Sequence, residues 1–342
     1  MGILNGHTPP VRDIGGKVKE GSIAVIEEIS LSGIKQYIYI RGHSIKKPVL
    51  LFLHGGPGGP EVGVLRRFNS ALEEHFVVVQ WDQRGAGRSY NPDIPAGSMT
   101  SKQIVQDACE LIQMLKKRFE KEKVFVMGHS FGTIFGLLLA QQYPEHIEAY
   151  IGVSQVVNRK EEEIKSYEFV FNKAQTENNK KAIKQLEMVG FPKNGCYKNV
   201  EDLVVQRKWL GNFGGVTKNL KDLTRWYLSN LFTPEYPLSV KLKPMEGMKF
   251  SMKYLWNQLM DTNFLALDAE LKVPALFCMG RHDRITWLEL VEEYCNKLKA
   301  PQKEVVVFEN SGHMPNSEEA EKFNELLINR LKAINEYPKD LV

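Results

Sequence analysis

Short, unbroken apolar runs punctuate the chain: Pro48–His54, Phe76–Trp81, Val124–Gly128, Ile147–Val153, Pro274–Gly280 and Glu304–Phe308. Runs of this length and β-branched content suit strands buried on both faces of a sheet. Segments with a helical period lie between them. Thr100 with Gln103 resembles a capping box and opens a helix through about Arg118, with Ile104, Ala108, Leu111, Ile112 and Leu115 on one face. Phe131–Tyr143 predicts a second helix, stopped by Pro144; Trp287–Leu298 and Asn316–Ile334 predict two more. Ahead of them, Ser22–Leu31 and Ile34–Arg41 flank Gly33 and predict an antiparallel pair. Residues 1–20, with Pro9, Pro10, Gly15 and Gly16, predict an extended lead-in.

Strands alternating with helices predict a mostly parallel sheet with helices on both faces. The alternation lapses between residues 155 and 265, where charged helical patterns and aromatics such as Trp209, Trp226, Tyr227 and Trp256 replace strand-like runs. The expected organisation is a core in two parts, 1–154 and 266–342, with a helical cap at 155–265.

Composition narrows the function. The 342 residues are 43% hydrophobic and 25% charged, as in a globular protein, and the net charge is +4. That charge is spread along the chain, and Lys/Glu-rich stretches such as Lys116–Lys123 and Lys160–Lys165 mix both signs. They predict solvated helix faces, and a nucleic-acid partner is not expected. No apolar run approaches the roughly 20 residues of a membrane span, and the N-terminus lacks the apolar stretch of a secretory signal. Cys109, Cys196, Cys278 and Cys295 form no CxxC pair and suit reduced thiols, so a cytoplasmic location is expected. The sequence does not set the oligomeric state.

The chemistry centres on Gly128-His129-Ser130-Phe131-Gly132, a G-x-S-x-G motif between a buried strand and a helix. That context is what a nucleophile elbow needs: a sharp turn that points the serine Oγ outward. A serine nucleophile needs a base, and the base needs an orienting acid, in the chain order Ser, acid, His. His146, His282 and His313 follow Ser130. His146 is too near in sequence to fold back, and His282 adjoins the candidate acid. His313 follows the Glu304–Phe308 strand, as Asp283 follows Pro274–Gly280, so both are expected at the strand C-termini where such sites gather. The glycine-rich His54–Pro60 loop offers backbone N–H groups to an oxyanion, with Gly56 and Phe131 the expected donors. It lacks both the G-K-[ST] ending and GxGxxG, so no nucleotide cofactor is expected.

HGGPG at 54–58, WDQRGAGRS at 81–89, GHSFG at 128–132, GRHD at 280–283 and the Gly312-His313 pair stand in the order of the proline iminopeptidase family of α/β-hydrolases. The sequence resembles that family over about residues 20–155 and 268–335. The resemblance implies an α/β-hydrolase core, a helical cap, a Ser130–Asp283–His313 triad, oxyanion donors at Gly56 and Phe131, no cofactor and no metal. It implies loop support from Asp82, Gln83 and Arg84. The sequence departs from the family's GGSWG at His129 and Phe131, and its cap lacks the family's recognisable glutamate motifs. Cap acids such as Glu168, Glu187, Asp222, Glu235 and Glu246 are expected mostly in solvent. The expected partner is a small-molecule or short-peptide substrate. The implied activity is an aminopeptidase releasing N-terminal residues; the alternative is an esterase, lactonase or amidase whose substrate has no free amino terminus.

Overall fold

The computed structural model describes residues 5–243, 245–266 and 269–336. Eight strands form one sheet: β1 (Ile23–Leu31), β2 (Ile34–Gly42), β3 (Val49–Leu53), β4 (Val77–Asp82), β5 (Val124–His129), β6 (Ile147–Val153), β7 (Ala275–Gly280) and β8 (Lys303–Phe308), in the order β1-β2-β4-β3-β5-β6-β7-β8. β1 and β2 form an antiparallel hairpin whose β2 pairs antiparallel with β4, and β4, β3, β5, β6, β7 and β8 pair in parallel. The double-sided apolar runs are explained by this placement. In β3, Val49, Leu51 and Leu53 enter one core layer, while Leu50 and Phe52 enter the other.

Helices α1 (Val62–Phe68), α2 (Ser101–Phe119) and α3 (Gly132–Gln142) follow β3, β4 and β5 respectively. Ile104, Ala108, Leu111, Ile112 and Leu115 of α2 are all buried against the sheet. Thr100 caps α2, its Oγ1 accepting from the Gln103 N–H at 3.1 Å. The reciprocal half of the capping box is missing, because the Gln103 side chain donates to Asp107 instead.

Between β6 and β7 come α4 (Arg159–Thr176), α5 (Lys180–Val189), α6 (Val200–Asn212), α7 (Leu220–Phe232), α8 (Leu238–Leu242) and α9 (Glu246–Met260). They carry a small apolar core of their own, in which Tyr167, Val170, Leu186, Trp209 and Leu210 meet Met314 from the loop after β8. After β7 come α10 (Leu288–Lys297), then β8, α11 (Pro315–Glu318) and α12 (Ala320–Glu336). The single closing helix expected from the apolar period is thus broken at Glu319, whose backbone is not helical. The break turns the Glu318 and Glu319 carboxylates back onto the loop that precedes α11. No helix among the described residues is long and apolar enough to cross a membrane.

Candidate active site

β5 delivers Ser130 into a turn where its φ is +52°, in the left-handed region that non-glycine residues seldom occupy. The turn is the strand-to-helix elbow, and the helix begins at Gly132. The loops after β7 and β8 bring Asp283 and His313 to the same place. His313 Nε2 lies 2.8 Å from Ser130 Oγ, and His313 Nδ1 lies 2.8 Å from Asp283 Oδ2. All three residues are buried. Burial opposes the charge on Asp283, but His313, the Thr286 hydroxyl and the Ile285 N–H outweigh it and hold the carboxyl below its usual range. The Thr286 Oγ1 bond is 2.6 Å and the Ile285 N–H bond 2.8 Å. An ionised Asp283 accepts a hydrogen bond from Nδ1–H, which leaves Nε2 free to accept from the serine hydroxyl.

The His313 loop is held from both directions. Glu318 Oε1 accepts from the N–H groups of Gly312 and Met314, at 2.9 and 3.1 Å. Glu319 accepts from Ser311 Oγ and the Asn310 N–H. From the cap, the Val216 carbonyl accepts the His313 N–H at 2.6 Å, and the Gly215 carbonyl accepts the Arg284 N–H at 2.9 Å. Burial pushes the Glu318 carboxyl up to about 7 despite its three backbone donors.

The glycine loop lies against Ser130: a Cβ built on Gly55 would stand 2.9 Å from Ser130 Cβ. The Gly55 N–H donates to Glu61 and the Gly59 N–H to the Gly55 carbonyl. Among the described residues nothing accepts the N–H of Gly56 or Phe131, which is the condition a donor kept for substrate must meet. The segment after β4 braces this loop. Gln83 Nε2 donates to the His54 carbonyl at 2.9 Å, and Arg84 forms a buried bidentate pair with Asp107. Asp82 accepts from the hydroxyls of Tyr39 and Tyr236, both at 2.8 Å; burial raises its carboxyl to about 6.

The cap departs from the expected solvated face. Glu162 and Glu163 lie within the Lys160–Lys165 stretch, yet both are fully buried. They pair with Arg159, and Glu163 pairs also with Arg207. Arg159 stands over the Phe131 ring, whose other neighbour is Trp256 of α9. The signal for this cluster was the i, i+3, i+4 spacing of Arg159, Glu162 and Glu163. Glu235, also expected in solvent, is buried and bonded to Arg66, Thr8 and Thr233. A cavity of about 670 Å³ is lined by Gly59 and Pro60 of the glycine loop, by Arg88 and Tyr90 of the core and by Trp226 and Tyr236 of the cap, while Ser130, Asp283 and His313 are not among its lining residues.

Residues 48–320 match the α/β-hydrolase fold family. This chain is an α/β-hydrolase. It is 35% identical to the probable aminopeptidase YbaC of Bacillus subtilis, across 88% of this chain and 94% of that protein. It is 27% identical to a proline iminopeptidase of Clostridium botulinum, across 91% and 97% of the two chains. The fold of a solved proline iminopeptidase from Mycobacterium smegmatis superposes with a TM-score of 0.69 at 17% identity, covering 91% of this chain and 99% of that one. The chain is thus a hydrolase whose relatives include aminopeptidases and proline iminopeptidases.

Proposed function

We propose that this α/β-hydrolase is a serine aminopeptidase of the proline iminopeptidase type, releasing N-terminal residues from short peptides. The observation that carries the serine mechanism is the hydrogen-bonded line Ser130 Oγ, His313, Asp283, at 2.8 Å for each step. His313 takes the Ser130 proton as Oγ attacks the scissile carbonyl, and Asp283 stabilises the imidazolium. The N–H groups of Gly56 and Phe131 receive the oxyanion. His313 then protonates the leaving amine, and water releases the acyl group by the same steps in reverse. The helical cap closes over this chemistry.

A free amino terminus needs a carboxylate where it is desolvated. Glu163 is the candidate: its Oε1 is paired with Arg159 and Arg207, its buried Oε2 has no hydrogen-bond partner among the described residues, and Arg159 rests on Phe131. The YbaC and proline iminopeptidase relatives point the same way. The test is a paired assay on an aminoacyl arylamide with a free amine and on a short aryl ester, with Ser130→Ala as control. Arylamide cleavage that N-acylation of the substrate abolishes supports the aminopeptidase. Cleavage of the ester alone rejects it in favour of an esterase.

A further inference from the structure

Beside Ser130, the side chain of His129 joins three segments that must keep register during turnover. Its Nδ1 lies 2.7 Å from Glu61 Oε1, and its Nε2 lies 2.9 Å from the carbonyl oxygen of His313. The same Glu61 Oε1 accepts the Gly55 N–H of the glycine loop at 3.2 Å. The His313 carbonyl also accepts from Ser154 Oγ. Glu61 is 2% exposed and His129 3% exposed, so water does not replace either partner.

We propose that Glu61 and His129 form a buried charged clamp, two positioning residues that fix the glycine loop and the His313 loop on either side of the nucleophile; this rests on the serine mechanism proposed above. The hydrogen-bond inventory carries the argument. An oxygen faces each ring nitrogen of His129: the His313 carbonyl has no proton to offer, and Glu61, kept ionised by His129 and the Gly55 N–H, has none either. Both nitrogens therefore donate, which makes the ring an imidazolium. Facing an ionised Glu61, a neutral imidazole could keep only one of its two bonds.

The surroundings agree. Burial works against charge on both groups, but each outweighs it for the other: Glu61 is held below its usual value and His129 above. The other titratable groups facing His129 are His54, His313 and Asp283. Burial lowers His54 to about 4, so it stays neutral, accepting from the Gln83 N–H through Nε2. Asp283 adds attraction for the imidazolium. The clamp is thus closed through the middle of the pH range. It opens as rising pH discharges His129, and as falling pH protonates Glu61.

The test uses the full-length enzyme with Glu61→Gln and His129→Gln, a fluorophosphonate probe, an aryl ester or arylamide substrate, and ¹⁵N NMR of the imidazoles. The neutral amide that Glu61→Gln introduces cannot accept from both Gly55 and a charged His129 while balancing the histidine's charge. We expect kcat to fall roughly 10- to 100-fold with KM within about threefold, as misplacement of reacting groups does. The alkaline limb of kcat should shift to lower pH in Glu61→Gln. The His129 nitrogens, assigned by their loss in His129→Gln, should read as imidazolium at neutral pH in the wild type and as neutral in Glu61→Gln. A wild-type His129 that is neutral there, or a Glu61→Gln enzyme with an unchanged kcat and pH profile, overturns the clamp. Wild-type enzyme that turns over without Ser130 labelling overturns the serine mechanism instead, so the two failures are told apart.

Discussion

Replacing Gly312 by alanine puts a methyl group between the His313 loop and the cap. A Cβ built there stands 2.5 Å from the Val216 carbonyl oxygen, 2.9 Å from its carbon and 3.0 Å from Thr217 Cα. All three are backbone atoms, so no side chain can swing aside. Ordinary contact begins at 3.4 Å, and the nearest pair falls short of it by 0.9 Å. Either the cap loop retreats, lengthening the 2.6 Å bond from the His313 N–H to Val216, or the His313 loop moves, lengthening the 2.8 Å bond to Ser130. Overpacking of this kind costs about 1–3 kcal/mol, which corresponds to a Tm lower by about 2–6 °C for a chain of this size. A displacement near 1 Å at a reacting group costs roughly 10²-fold in rate, so kcat should fall about 10- to 100-fold with little change in KM. Steady-state kinetics and thermal unfolding check both figures. Gly97→Ala is the control, because nothing lies within 4 Å of its Cβ, and it should change neither. A Gly312→Ala enzyme with wild-type kcat and Tm would refute the reasoning, because the cap loop would then not be part of the frame that holds His313.

Ser130→Ala should remove at least about 10³ of the hydrolytic rate, and Asp283→Asn about 10⁴ of kcat with the fold intact; thermal unfolding of both variants separates these losses from misfolding. Arg84→Met strands the fully buried Asp107 carboxylate and should cost about 3–5 kcal/mol, read as a lower midpoint in denaturant. Glu318 titrates in the folded state at about 7, above its usual 4.5. The stability this gives is complete below pH 4.5 and is lost as pH rises through 7, so wild-type Tm should fall over that interval. Glu318→Gln should flatten the slope, and an equally steep slope in the variant would reject the assignment.

The strands were legible because burial on both faces leaves a run such as Val49–Leu53 no polar position, whatever the rest of the chain does. That Ser130, Asp283 and His313 would meet was legible because each follows a strand end, and parallel strands bring such ends to one edge of the sheet. The charged residues were harder. Glu162 and Glu163 read as solvent-facing because a carboxylate is normally buried only with a partner, and one of those partners, Arg207, lies far along the chain. Glu61 gave no local sign, since its role comes from a histidine on another strand end. Helix α1 has only seven residues, too few for a periodic signal. The break at Glu319 was hidden because the apolar period continues through it while the carboxylates satisfy a neighbouring loop.

The two ends of the helical insertion meet. Asn158 and Asn263 face each other in an antiparallel bridge, with the Arg159 N–H bonded to the Thr262 carbonyl and the Phe264 N–H bonded to the Val157 carbonyl. The sheet therefore sees the whole insertion as one closed stem, much as it would see a tight turn. Lengthening a closed loop is cheap, about 0.6 kcal/mol for each doubling. Everything between the two asparagines can be shortened, extended or exchanged as a cassette without disturbing the pairing of β6 with β7. Any replacement must still serve the core groups the insertion now serves: a carbonyl for the His313 N–H, another for the Arg284 N–H, a donor for buried Asp82 and a carboxylate for Arg66.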